Sequence, residues 1–483
     1  MAGMVHGGGM SASLLTPAPV GRPISPTKTH PDRPTLPTRF RDARETLGGV
    51  CPHAGRFVAA FAASLLWSTP ASAASEAALG PTLSVAGIAL SLGAGYLVLR
   101  IGLARVRKAL PFAPGAEHLL LGAMLGPVAF GIGLFGDLRA LVPLAALAAA
   151  WVAFACGVDF NLRALANLPR GGPRLGVLSG VLCWAGVTVA SRVAISSWSP
   201  EVDPERAWLV SGWLGCAAAA TSTAPFRVLR QRYDTGEVTA TLLGHSARFS
   251  NLVAVVGFGV LACVFQAGSE WEERSLSPVE LAVVAVGLGA ALGVVLSPYL
   301  GQAESLAGRI LLLVGVVAFT SGAASWFGLS PLWVNLALGL VLINTSLSSE
   351  RVLEATRTAT PALSFLLLVF AGALWVPPPW LPTLVVAGGF ILLRLLARVF
   401  ASWLVARWIP LMRSDAGRGL LGQGEVAVAL AIALRTTQEG PLVDIGYTAV
   451  LISVVVHDLL APWALRGLLL DAGELRSPVE GKL

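Results

Sequence analysis

The sequence predicts an all-helical polytopic protein that crosses a membrane about thirteen times. Three observations carry this. The 483 residues are 55% hydrophobic and only 13% charged, about half the charged fraction of a soluble domain. Mean hydropathy is +0.73. The apolar residues fall in repeated runs of about eighteen or more, long enough to span the roughly 30 Å hydrocarbon core as helices. Strands of an outer-membrane barrel would be shorter and would alternate apolar with polar residues.

Residues 1–50 are rich in Pro, Thr, Arg and Gly and cannot form a packed core, so a disordered extension is expected. Residues 51–73 carry Arg56-Phe57, an apolar run to Trp67 and Ala71-Ser72-Ala73. A basic start, a short apolar core and an A-x-A site predict a secretory signal peptide. A signal fifty residues in predicts a true start near Val50. The membrane domain follows over 81–470, then a short cytoplasmic tail, 471–483. Its spans are expected near 81–99, 117–135, 138–157, 175–196, 207–225, 239–267, 278–298, 308–327, 329–347, 361–377, 380–405, 417–435 and 444–465.

Loop charge fixes an expected orientation. Loops of one parity carry nineteen Lys and Arg, among them Arg105, Arg107, Lys108, Arg230, Arg407 and Arg413. The other parity carries four, Arg139, Arg206, Arg274 and Arg435, and holds acidic clusters. The basic side is cytoplasmic, which puts the mature N-terminus outside and the C-terminus inside a bacterial inner membrane. The formal charge of +7 comes with no basic stripe interleaved with aromatics, so nucleic acid is not an expected partner. The cysteines form no CxxC pair, and Cys156, Cys183, Cys216 and Cys263 lie within apolar spans, as small buried hydrophobes do. Outside the spans no nucleophile–base or metal-ligand spacing stands, so neither an enzyme, a cofactor nor a metal site is expected.

A weak internal repeat has an offset of seven spans. The second and ninth spans share a Gly-rich build; the third ends FACGVDF and the tenth contains VFAGALW. An odd offset turns the two copies upside down relative to each other. Inverted repeats mark secondary transporters, with the site at the repeat interface.

Polar residues inside spans are the functional candidates. The fifth span ends Thr221-Ser222-Thr223-Ala224-Pro225. Pro225 removes a backbone donor and disfavours helix at Ala224, so freed carbonyls and hydroxyls could line an ion site; a helix end with Ser/Thr back-bonding is the alternative. Seven spans later Gly422-Gln423-Gly424-Glu425 weakens a second helix. Two discontinuous helices meeting there would bring opposite dipole ends together. Glu425 gates, pairs with an arginine, or faces water. The sixth span holds His245, Arg248, Ser250 and Asn251. An amide binds a cation through its carbonyl oxygen but does not titrate near neutral pH; His245 does. Arg248 snorkels to the interface or stands as a fixed charge beside the site. Arg394 and Arg398 share a helix face, and Arg394, deep in its span, needs a carboxylate or several carbonyls. His457-Asp458 before Pro462 is expected as a local pair capping its helix.

These residues resemble the monovalent cation:proton antiporters, in particular the Kef-like and sodium/proton exchanger branch. The segments that carry the likeness are Glu117 to Gly126-Pro127, Ser330-Pro331 to Gly339 with Asn344, Gln423-Gly424-Glu425, and Arg394, in a characteristic arrangement along most of 81–470. The resemblance implies a thirteen-helix fold of two inverted repeats, a dimer-forming scaffold, and a mobile core holding two crossed, unwound helices. It also implies an aspartate in the sixth span that alternately binds the cation and protons. In the family that aspartate follows an Asn, Asp or Gln; Ser250-Asn251 falls on that pair, so Asn251 stands where the aspartate belongs. The expectation is a secondary active transporter in the lipid bilayer, a homodimer exchanging potassium or sodium for protons. Thr221, Ser222, Thr223, Ser250, Asn251 and Glu425 would line the ion site. His245, Arg248 and Arg394 would compensate charge or carry protons. A relative without proton coupling is the alternative: a uniporter, an anion or organic-solute carrier, or a non-transporting membrane module.

Overall fold

A computed structural model describes residues 115–126, 142–165, 171–226, 229, 233–235, 237–266, 270–271, 274–302, 305–409 and 413–478. The extension, the signal segment, the first expected span, Cys51 and most of the second span lie outside the described residues. The helices are α1 (Ala116–Leu125), α2 (Val142–Val158), α3 (Gly171–Trp198), α4 (Pro204–Ala219), α5 (Glu237–Gln266) and α6 (Pro278–Gln302). After them come α7 (Leu306–Trp326), α8 (Pro331–Thr345), α9 (Ser349–Ala373), α10 (Trp380–Ala406), α11 (Gly424–Thr437) and α12 (Pro441–Asp471). Seven of them are long and apolar enough to cross a membrane.

Helix ends follow local chemistry. Asp203 accepts from the Arg206 N–H and Pro204 opens α4, as N-caps and first-turn prolines do. α9 begins at Ser349 rather than near 361, carrying Pro361 inside it. α4 stops at Ala219, short of the expected 225, and α11 starts at Gly424 rather than 417, because Ala416–Leu420 is a 3-10 turn. α12 continues past Pro462 to Asp471. Part of the stretch expected as a tail forms β4 (Leu475–Pro478), antiparallel to β1 (Tyr233–Thr235). A second ribbon pairs β2 (Glu270–Trp271) with β3 (Arg274–Ser275).

One group of helices gathers α3, α4, α5, α10 and α12, and another gathers α1, α2, α6, α8 and α9, with α11 packed on α2 and α12. The most apolar windows of α6 and α10 are only 22% and 28% buried in protein. Their remaining surface, including Val283, Leu384 and Leu392, is apolar and exposed, which suits lipid contact and no other solvent. Between helices, glycine permits close approach. A Cβ at Gly157 would lie 2.3 Å from the Leu336 carbonyl, and one at Gly339 2.3 Å from that of Phe154. Such small-residue crossings replace hydrophobic drive, which lipid does not supply. Buried aromatic donors then tie helices to one another. Trp213 Nε1 donates to Leu430 O at 2.9 Å, and the Tyr447 hydroxyl to Ala371 O at 2.7 Å.

Candidate ion site at the crossing of two broken helices

α4 ends in a run of alanines, and Ala220 is extended. Helix resumes only at residues 224–226, where the Ser222 hydroxyl accepts from the Ala224 N–H at 3.1 Å. The last four carbonyls of a helix have no intrahelical partner, and in a membrane core leaving them bare is costly. Side chains from other segments cover them. Gln423 Nε2 donates to Ala217 O at 2.9 Å. Arg394 donates to Ala218 O at 3.0 Å and Ala220 O at 2.8 Å. Arg398 donates to Ala219 O at 2.6 Å, Ala220 O at 3.2 Å and Ala218 O at 3.4 Å. The Ser250 hydroxyl donates to Ala219 O at 2.7 Å. Asn251 closes the break as a strand neighbour would. Its Oδ1 accepts from Thr221 N–H at 2.6 Å and its Nδ2 donates to Thr221 O at 2.9 Å.

The second break lies directly against the first. Ser222 N–H donates to Gly422 O at 2.9 Å. Gly424 has φ +66, and a Cβ there would lie 2.7 Å from Ser222 Cβ, so both backbone and contact require glycine. Arg394 also donates to Leu421 O at 2.5 Å and Gly422 O at 3.0 Å; one guanidinium therefore bridges both breaks. The Gln423 N–H donates to Asp458 Oδ1 at 3.1 Å, and its side-chain carbonyl accepts from Ser453 at 2.7 Å. Arg394 and Arg398 are fully buried and Asp458 nearly so. Buried charge is costly unless paired or hydrogen-bonded, and here carbonyl dipoles of unwound backbone supply most of the partners.

The expected residues divide into two sets. Thr221, Ser222, Ser250, Asn251 and Arg394 meet at the crossing, and Thr223 stands half-buried in the first break. His245, Arg248 and Glu425 do not join those contacts. His245 is half-buried on α5 near Gly172 of α3. Arg248 pairs with an acid instead, its Nε 3.9 Å from Asp159 Oδ1. Glu425, in the first turn of α11, accepts from the Ser364 hydroxyl of α9. Glu425 thus sits on a seam between α9 and α11, and the Arg248–Asp159 pair joins α5 to the end of α2.

Three contributors were not assigned to the site from sequence. Arg398 differs from Arg394 by one helical turn, and periodicity alone made them equivalent. Asp458 is not part of a local cap: it holds the start of α11 from the adjacent α12, while His457 Nδ1 contacts Ser453 at 2.9 and 3.0 Å. Ser179 accepts from Arg398 at 3.1 Å, and nothing in its sequence context marks it.

A helical membrane protein with two broken helices crossing at a buried polar locus has the architecture of a secondary transporter. The chain matches the family described as sodium/hydrogen exchanger, transmembrane, over residues 93–467, and it belongs to that family, whose members are transporters rather than enzymes. Among solved structures it is similar to the sodium proton antiporter MjNhaP1 from Methanocaldococcus jannaschii at pH 8. That likeness has 18% identity and a TM-score of 0.57 over 80% of this chain and 98% of the other. An electron-microscopy structure of the same antiporter matches at 17% identity and a TM-score of 0.52, covering 80% and 99%. No curated protein matches by sequence.

Proposed function

We propose that the chain is a monovalent cation:proton antiporter, exchanging potassium or sodium for protons, in which the proton is carried at Glu425 rather than at position 251. One observation carries this. Both polar atoms of the Asn251 amide are engaged by Thr221, and neither titrates. Glu425 is the half-buried carboxylate at the mouth of the second break, held by a serine hydroxyl from the neighbouring helix group. Protonated, it keeps the Ser364 contact and is neutral. Ionised, it offers a cation a negative carboxylate whose Oε2 also accepts from Ser364. Competition of cation and proton for one carboxylate that is presented alternately to the two sides of the membrane gives exchange.

The surrounding assignments belong to the same proposal. The two breaks, seven spans apart, are the matching parts of two inverted repeats. The protein is a homodimer of a bacterial inner membrane, mature N-terminus outside and C-terminus inside, after removal of a signal within 51–73. A second reading, transport without proton coupling, is favoured by one feature: Arg394 and Arg398 give the crossing two positive charges against Asp458. The test is proton movement in everted vesicles or proteoliposomes carrying the full chain. Cation-dependent dissipation of a proton gradient, lost in Glu425→Gln, supports the antiporter. No response to any alkali cation, with the protein confirmed in the membrane, overturns it.

A further inference from the structure

The oxygens around Arg398 form the kind of shell that binds a dehydrated alkali cation. They are the carbonyls of Ala218, Ala219 and Ala220 and the hydroxyls of Ser179 and Ser250, all within 2.6 to 3.4 Å of its two terminal nitrogens. Both hydroxyls spend their protons elsewhere, Ser250 on Ala219 O and Ser179 on Gly176 O. Each therefore turns a lone pair toward the guanidinium, as it would toward a metal ion. Fully buried, Arg398 is positioned by its terminal nitrogens alone, because its Nε–H finds no acceptor among the described residues. Removed from Arg398, the same five oxygens are uncharged and converge on the α4 break, with Ala218 O and Ala220 O still accepting from Arg394 and Ala219 O from Ser250; unwound backbone of this kind coordinates cations in transporters.

We propose that Arg398 is a tethered cation occupying the seat in the α4 break, so that this seat is closed to alkali ions and a neutral side chain at 398 opens it. Arg394, one turn away on the same face of α10, reinforces the exclusion. A like charge at about 6 Å lowers cation affinity on the order of a hundredfold at intermediate dielectric. An Asn251→Asp change by itself then supplies the guanidinium with an anionic neighbour and leaves the seat filled. This deepens the antiporter proposal by confining the exchanged ion to the Glu425 seam, but it concerns a different set of oxygens and is read by binding rather than transport.

The experiment uses the purified full chain in detergent, with Glu425→Gln in every protein so that the seam is silenced. Unfolding midpoints are measured in NaCl, KCl or LiCl against choline chloride at equal ionic strength. With Arg398 intact, and with Arg398→Lys, the alkali and choline curves coincide. Arg398→Ser gains a saturable, alkali-specific upward shift. If Arg398→Ser does not fold in choline, recovery of a monodisperse peak in alkali salt alone is the same result. Two outcomes overturn the proposal: saturable alkali stabilisation while Arg398 is present, or an Arg398→Ser protein that gains neither stabilisation nor recovery. Transport lost or retained in Glu425→Gln decides the antiporter proposal separately and leaves these outcomes unchanged.

Discussion

Replacing Arg394 by methionine keeps most of the volume and removes the charge and all five donors. The guanidinium makes four hydrogen bonds, at 2.5 to 3.0 Å, to Ala218, Ala220, Leu421 and Gly422 carbonyls. At about 1.5–3 kcal/mol for each bond to a charged group, simple addition would give roughly 6–12 kcal/mol. That overshoots, because three of the carbonyls keep another donor. Arg398 still reaches Ala218 O and Ala220 O, and Ser222 N–H still reaches Gly422 O. Of the four, only Leu421 O loses its donor outright, at about 1–3 kcal/mol, and desolvation of one buried charge is relieved. The expected net loss is about 3 kcal/mol, at the lower end for breaking a buried charged contact. Arg394→Lys, with one point charge and no fork, falls between the two. The assay is denaturant titration in mixed micelles followed by tryptophan fluorescence, since fully buried Trp213 bonds Leu430 across the two broken helices. A methionine variant within about 0.5 kcal/mol of the parent, the range of an ordinary surface change, would refute the claim that this side chain holds the breaks together.

Gly157→Leu or Gly339→Leu drives side-chain atoms into backbone only 2.3 Å from the Cβ position; α2 and α8 must separate, and gel filtration should show loss of the folded peak while Gly186→Leu, whose Cβ meets nothing within 4 Å, leaves it. Outside the spans, Arg413 bonds Asp415 at 2.9 Å and holds its carboxyl below the ordinary value. A depressed carboxylate contributes stability above its unfolded pKa of about 3.9 and loses it as pH falls through the folded value. Asp415→Asn should therefore lower the unfolding free energy slightly at pH 7, by about 0.5 kcal/mol or less after solvent screening, and the difference should vanish in acid. A difference that grows as pH falls would contradict the pairing.

Among the described residues, the spans from the third onward were legible because each is a long apolar run, and the breaks because Pro225, Gly422 and Gly424 are poor helix residues. The depth of Arg394 in its span was legible for the same reason. What joined these pieces was not. Periodicity puts Arg394 and Arg398 on one face, yet which carbonyls they meet depends on how α4 and α11 cross. Asp458 was hidden by its neighbour His457, which suggested a local cap. Arg248 and Asn251 are three apart on one helix, but their partners, Asp159 and Thr221, lie on different elements. A one-dimensional pattern carries helix faces and not their neighbours, so a single polar knot in sequence became two groups in space.

The most direct test of the account is proton exchange by the full chain in everted vesicles, comparing the parent with Glu425→Gln. The structure leads us to expect that sodium or potassium dissipates the proton gradient in the parent and that the glutamine variant, present in the membrane at equal amount, gives no cation-dependent response. Retention of full exchange by Glu425→Gln would contradict the assignment of the proton to that carboxylate.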